Sequence, residues 1–285
     1  YRHAFHAGNH ADVLKHLVLA RVLDHLRLKD KPFRALDAFA GLGVYDLEAD
    51  EAARTGEWRD GWGRMAVPFA PEVEALLAPY RAAVAAVRAR HGDTAYPGSP
   101  AVIREALRPG DKGVFVELHP ADAATLQGRY ARDARTKVMN LDGWTAINAQ
   151  IPPPERRGLV LIDPPYEVPG EIERLGAHLA RAVAKWPTGL FLAWYPIKDT
   201  AVLDRMVRDL GAALPRPALR LDLLIDRPGD PTRLTGSGLI VVNPPWRLAE
   251  EAMLFLPALA ERLARQDFGG FRCAPLGPAD RLGRL

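Results

Sequence analysis

The sequence predicts an α/β fold, a mostly parallel sheet of seven strands with helices on both faces and a small helical insertion. Two observations carry this. Short apolar runs recur along the chain, separated by stretches with helical spacing, which is how parallel strands joined by crossover helices read. The runs are mostly apolar, and their alternation with helices is expected of a parallel sheet covered on both faces.

The elements follow in order. Behind Asn9, a residue suited to capping a helix start, Leu14, Leu17, Val18, Val22 and Leu26 fall at near-helical spacing, predicting a helix from Asn9 to Leu28. Phe33 to Phe39 reads as the first strand and runs into Ala40-Gly41-Leu42-Gly43, a tight turn before a helix. From about Leu47 to Pro97 the alternation lapses. Trp58, Gly61, Trp62 and Gly63 sit in an irregular stretch, and Pro71 to Arg90 reads as a helix with a kink expected at Pro79. Residues 47–97 are therefore taken as a helical subdomain inserted in a single domain of residues 1–285. Ser99-Pro100 has the form of an N-cap followed by proline at the first helical position, opening a helix from Ala101 to Leu107. Strands are expected at Gly113–Leu118, Lys137–Leu141, Gly158–Ile162 and Gly189–Trp194, with helices at Ala121–Tyr130, Gly143–Gln150 and Gly170–Lys185. A helix from Asp199 to Leu210 precedes strands Ala218–Ile225 and Gly238–Val242, whose short link allows an antiparallel pair.

With 285 residues, 48% hydrophobic and 26% charged, the composition fits one large core carrying an insertion. No apolar run approaches the roughly 20 residues of a spanning helix, which argues against a membrane protein. A lone Cys273 and the absence of a charged-then-apolar leader point to the cytoplasm. The chain opens on Tyr1 rather than methionine, and the sequence does not settle where its natural start lies. A net charge of +3 suits a polyanionic partner as well as it suits a plain Arg- and Ala-rich composition.

The polar residues of interest fall at the carboxyl ends of the predicted strands, where open sheets bind ligands. Asp37 and the Gly41/Gly43 turn end the first, Glu117 the second, Asp142-Gly143 the third and Asp163 the fourth. A glycine turn lets backbone approach a ligand, and an acid ending the second strand can accept both ribose hydroxyls of a nucleoside. In a dinucleotide-binding fold that acid follows the turn by about 20 residues; Glu117 lies much further on, a gap the insertion explains. Asp142 could accept from an adenine amino group while Gly143 leaves room for the base. Taken singly, each acid reads as a strand-end carboxylate or a helix cap; four in strand order point to a ligand.

The sharpest motif is Asp163-Pro164-Pro165-Tyr166, directly after the apolar run Gly158–Ile162. An exocyclic adenine amine is a poor nucleophile because its lone pair is delocalised into the ring. Asp163 can accept a hydrogen bond from it, Pro164 stiffens a turn whose carbonyl can accept a second, and Tyr166 offers a face on which an extruded base stacks. Asn243-Pro244-Pro245-Trp246 repeats the pattern, but after a strand expected to be antiparallel, so its turn should open away from the ligand edge and serve structure.

The block Tyr1-Arg2-His3-Ala4-Phe5-His6-Ala7-Gly8-Asn9-His10-Ala11-Asp12-Val13-Leu14-Lys15-His16, together with Tyr96-Pro97-Gly98-Ser99-Pro100, Glu117-Leu118-His119-Pro120 and the two proline tetrapeptides, resembles the bacterial 23S ribosomal RNA adenine-N6 methyltransferase family over nearly the whole chain. The resemblance implies a Rossmann-like class I methyltransferase fold, S-adenosylmethionine as cofactor, 23S rRNA as substrate and no obligate protein partner or metal. It implies cofactor contacts at His16, Ser99, Glu117, Asp142 and Gly143, with Phe39 and Gly41 in the same wall. Phe39 stands where the family is expected to carry a histidine. Asp163, with Pro164 and Tyr166, would be catalytic, and Tyr1, His3, Lys15 and Tyr166 would meet the substrate.

Three rival readings are weighed. His3, His6, His10 and His16 could mark a metal-dependent hydrolase, although no helical two-His pair flanks a general-base Glu. Trp58 and Trp62, if exposed, would suit a non-catalytic RNA-binding module, and Arg227 and Arg233 in the last hairpin could touch phosphate or simply be solvated. DNA adenine or glutamine side-chain methylation would use the same acceptor tetrapeptide.

Overall fold

The computed structural model describes residues 2–198 and 200–277; Tyr1 and Asp199 lie outside them. Helix α1 (His10–Arg27) begins as expected, the Asn9 side chain accepting from the backbone N–H groups of Ala11 and Asp12 at 2.9 and 3.1 Å. These are two of the donors every helix start leaves open. α1 is buried over most of its length, so its polar side chains Asp12, Lys15 and His16 must find partners inside the protein. Their i, i+3, i+4 spacing puts all three on one face.

After β1 (Arg34–Asp37) come β2 (Val44–Asp46), α2 (Asp50–Thr55), α3 (Glu57–Asp60), α4 (Pro71–His91), β3 (Ala95–Pro97) and α5 (Ser99–Ala106). β2 and β3 pair antiparallel, Tyr45 opposite Tyr96, and so draw the ends of this segment together. α4 continues through Pro79 as one helix. Its Val73, Leu77, Tyr80 and Val84 join the same apolar cluster as α1. Gly98, not Ser99, is the N-cap of α5; the Ser99 side chain is instead hydrogen-bonded to Asp37.

Strand and helix then alternate through β4 (Lys112–Glu117), α6 (Pro120–Tyr130), β5 (Thr136–Asn140), α7 (Gly143–Gln150), β6 (Gly158–Ile162), α8 (Glu171–Lys185), β7 (Leu190–Ile197), α9 (Thr200–Ala213), β8 (Ala218–Leu224), β9 (Gly236–Val242), α10 (Leu248–Leu263) and β10 (Gly270–Leu276). The main sheet has eight strands in the order β10-β8-β9-β7-β6-β1-β4-β5, one more than the sequence predicts. The extra strand, β10, pairs antiparallel with β8 at the sheet edge, where Pro275 is tolerated because an edge strand need not donate on both sides. β1, β4, β5, β6 and β7 are parallel, while β9 runs antiparallel to both β7 and β8.

Successive strand residues serve opposite faces. Ala35, Phe115, Leu159 and Leu161 pack toward α1, α4 and α10, whereas Leu36, Val114, Val116, Val160 and Ile162 pack toward α7, α8 and α9. From β1 the chain winds out to β4 and β5, then returns to β6 and β7 on the other side, so strand order reverses between β1 and β6. A crevice opens at the carboxyl ends of the strands there. The Asn243 turn sits at the opposite edge: its amide donates to the carbonyls of Pro187 and Gly189 at 2.9 and 2.6 Å, ahead of β7. It anchors a strand end, in the structural role its antiparallel strand predicts. Among the described residues no helix is long and apolar enough to cross a membrane.

Candidate active site

At the strand-order reversal lies a cavity of about 410 Å³, within the size range of small-molecule sites. Phe39 and Gly41 line it from the turn after β1, Ser99 from α5, Glu117 from β4, Asp142 and Gly143 from the start of α7, Lys15 and His16 from α1, His3 from the N-terminal segment, and Asp163 from the end of β6. The seven residues expected at the cofactor thus share one cavity with His3, Lys15 and Asp163. Pro164, buried, and Tyr166, half-buried, are not among the residues lining it, although their neighbours Asp163 and Pro165 are. Tyr1, expected near the substrate, lies outside the described residues.

The glycine turn and the acid of β4 form one unit. One Glu117 carboxylate oxygen accepts from the Gly41 N–H and the other from the His119 N–H, each at 2.8 Å. Gly41 has φ +61°, and a Cβ there would stand 2.3 Å from the Tyr45 hydroxyl oxygen. At Gly143 a Cβ would meet the Ala38 carbonyl oxygen at 2.3 Å and the Phe39 ring at 2.8 Å. Gly143→Ala is accordingly expected to force α7 from the β1 turn and to destabilise the fold by about 1–3 kcal/mol; an unchanged urea midpoint would refute the contact. Asp142 acts as N-cap of α7, one oxygen accepting from the Thr145 N–H and hydroxyl at 2.8 and 2.9 Å. Phe39 packs edge-on against Trp144, ring centroids 5.2 Å apart.

Asp37, grouped in the sequence with the ligand-facing acids, stands behind the wall. It is fully buried, accepts from the Phe39 N–H at 3.3 Å and leaves its second oxygen without a partner. Burial pushes its carboxyl up to about 7, against the opposing pull of the Ser99 and Phe39 hydrogen bonds.

The other wall is charged. The Lys15 ammonium, buried on α1, donates to Asp163 Oδ2 at 2.5 Å and lies 3.0 Å from Asp12 Oδ1. Asp12 also accepts from the Gly8 N–H at 2.9 Å and lies 3.0 Å from His3 Nε2. Burial would raise the Asp12 carboxyl, but His3, Lys15 and His16 outweigh it and hold the group well below the usual carboxylate range. Burial likewise works against the Lys15 charge, yet Asp12 and Asp163 hold that ammonium well above the usual lysine range. His16, buried beside Tyr96 at 3.2 Å, is driven down to about 3 by burial and is neutral near pH 7.

Tyr166 has φ +54°, a costly conformation for a side-chain-bearing residue. It is held by its hydroxyl, which donates to the Trp194 carbonyl at 2.5 Å, and by edge-on packing on the Trp194 ring at 5.5 Å. Asp12 and Trp194 are the site residues the sequence reading missed. The i, i+3, i+4 triad on an otherwise apolar helix was the signal for Asp12; nothing in the sequence separates Trp194 from other strand residues.

The four histidines disperse. His3 turns to Asp12, His6 to Glu57 at 3.0 Å, His16 to Tyr96, and His10 is buried. Among the described residues, no three His, Cys, Asp or Glu side chains are placed to hold a metal ion. Trp58 and Trp62, which the RNA-binding-module reading needed exposed, are half-buried against the core, Trp62 packing on Tyr80 and Tyr96. Arg233 pairs with Asp226 at 2.8 Å, and Arg227 lies over the Phe268 ring.

Residues 30–274 match the family model described as ribosomal RNA large subunit methyltransferase D, RlmJ. The chain belongs to this family. It is 39% identical over 273 residues to the ribosomal RNA large subunit methyltransferase J of Escherichia coli, covering 94% of this chain and 95% of the relative. Its identity to the protein of the same name from Haemophilus influenzae is 35%, covering 95% and 96%. A crystal structure of a Legionella pneumophila protein superposes with a TM-score of 0.83 at 30% identity, covering 96% of this chain and 99% of that one. The span that defines the family takes in the β1 to β9 sheet and the Asp163 turn. The doubly wound sheet is that of a Rossmann-like methyltransferase, with the cavity where such a sheet binds its ligand.

Proposed function

We propose that the chain transfers the methyl group of S-adenosylmethionine to the exocyclic N6 of an adenine in 23S ribosomal RNA. Family membership makes it a methyltransferase of large-subunit ribosomal RNA. The observation that carries the rest is the Asp163 carboxylate, held by Lys15 on the rim of a cavity walled by a glycine turn and a strand-end acid.

S-adenosylmethionine supplies the methyl on a sulfonium, and the residues present fit it. Glu117 has each oxygen fixed by one backbone donor and keeps further lone pairs for ribose hydroxyls. Gly41 and Gly143 bring backbone into the cavity wall where a Cβ would strike Tyr45 or Ala38 and Phe39, and Phe39 gives an adenosyl group an apolar wall.

The rest of the work falls to the chain. Lys15 occupies Asp163 Oδ2, leaving Oδ1 to accept an N–H of the target amine. The Pro164 carbonyl accepts the other N–H, and together they draw the nitrogen toward a tetrahedral geometry with its lone pair exposed. As positive charge grows on that nitrogen, the Asp163 carboxylate stabilises it and receives the proton it sheds. Tyr166, locked to Trp194, provides the face on which the extruded base stacks. Alignment and placed acceptors carry this displacement.

Nucleoside mass spectrometry after incubation with S-adenosylmethionine and unmodified 23S RNA, with DNA of the same sequence alongside, tests the reading. N6-methyladenosine in the RNA alone is expected. Methylated DNA alone, or transfer to neither, would overturn it. Glu117→Gln should weaken S-adenosylmethionine binding by about 10- to 100-fold, the scale of a lost charge-assisted hydrogen bond; calorimetry on the folded variant checks this.

A further inference from the structure

Beside the catalytic cavity, and sharing Asp142 with it, a second groove of about 460 Å³ runs between α7 and α8. One wall is a basic stripe on α8: Arg174, His178, Arg181 and Lys185, spaced by four, three and four residues, all line it. At 1.5 Å per residue the stripe spans about 16 Å. It is built on a fixed base, since the buried Trp144 stacks on His178 with ring centroids 4.3 Å apart and carries the Arg174 guanidinium 5.6 Å above its ring.

The stripe gathers its basic side chains along one groove wall with no carboxylate partner among the described residues. Several other arginines of this chain are neutralised, Arg21 by Glu251, Arg34 by Glu155 and Arg81 by Glu74. Arg174 and Arg181 are exposed and make no ion pair among the described residues. Lys185 donates only to Asn148. The one acid lining the groove, Asp142, is engaged in capping α7. The positive field registers on His178, whose imidazole is held below its ordinary range by burial and by Arg181 and Arg174.

We propose that the α7–α8 groove seats the phosphodiester backbone of the substrate RNA on the strand leading to the extruded base, an inference that rests on the RNA-methyltransferase reading above. Unpaired guanidinium groups in a row are suited to successive phosphates, which they meet with two donors each. The connection through Asp142 lets one strand occupy the groove while its target base enters the Asp163 site.

The test is a titration of fluorescently labelled 23S fragment RNA, read by anisotropy, against the full chain and an Arg174→Gln/Arg181→Gln variant at several salt concentrations. The variant is expected to bind more weakly and to lower the slope of log affinity against log salt by about 1.4, two contacts at roughly 0.7 each for single strands. Its affinity for S-adenosylmethionine and its kcat at saturating RNA should stay near the native values, with the loss appearing in KM. An Arg129→Gln/Arg132→Gln variant at the end of α6 and in the turn that follows it, across the sheet, removes the same charge and should bind RNA nearly as the native chain does. Native-like affinity and slope in the α8 variant overturn the proposal, as does an equal loss in the α6 variant or failure of the native chain to bind RNA. Binding is read without turnover, so failure of the groove stays distinct from failure to methylate.

Discussion

Asp163→Asn is expected to lower single-turnover methyl transfer by about 10²- to 10³-fold, the scale of a lost charge-stabilising contact in an organised site, with S-adenosylmethionine affinity nearly unchanged. Size is preserved, so the effect comes from the direction of hydrogen bonding. The buried Lys15 ammonium sits at Asp163 Oδ2, and in the variant it can accept only an oxygen as neighbour. It would take the amide oxygen and turn the amide NH₂ toward the incoming amine, donor against donor. A residual rate within about tenfold of native would remove Asp163 from the acceptor role.

The second large effect is on the fold. Lys15→Met strips the cation from between Asp12 and Asp163, of which Asp12 is only 1% exposed. Breaking a buried pair from one side costs about 3–5 kcal/mol because the abandoned charge keeps its desolvation penalty. Removing both partners is milder, so Lys15→Met combined with Asp12→Asn should recover part of the loss in a urea titration. If the double variant is no more stable than Lys15→Met, the network is not what the lysine stabilises.

The pH dependence has a definite sign. The Asp12 pKa is depressed in the fold, so its contribution is complete above the unfolded value of about 3.9 and is lost as pH falls toward the folded value. His10 and His16 remain neutral in the fold down to about 4 and about 3. The unfolded chain takes up those protons from about pH 6.5 downward, which erodes stability already above the range in which the Asp12 contribution is lost. Lys15→Met should therefore unfold at a higher pH than the native chain on acid titration.

Much of this was legible in the residues. The largely apolar strands β1, β4 and β6, with the more polar β5, carry Asp37, Glu117, Asp163 and Asp142 at or just past their carboxyl ends, and three of those four acids do line one cavity. Asp37 failed because strand-end polarity says nothing of which side the side chain takes; Ser99 and the Phe39 N–H hold it inward. α10 and β10 were not read at all. Pro257 lies within α10 and Pro275 within β10, and proline normally argues against both elements. The contact between Lys15 and Asp163 joins residues far apart in the chain, where local periodicity carries no information.

That contact also has a place in time. Lys15 and Asp163 are separated by 148 residues, which a ribosome adding about 5–20 residues per second bridges in roughly 7–30 s. Through that interval the emerging α1 carries a lysine whose buried position lacks one of its two countercharges, so its docking gains full strength only once β6 has been made and paired. α1 and the Asp163 turn, two walls of one cavity, are therefore expected to gain their full mutual support together, once the chain through β6 has been made.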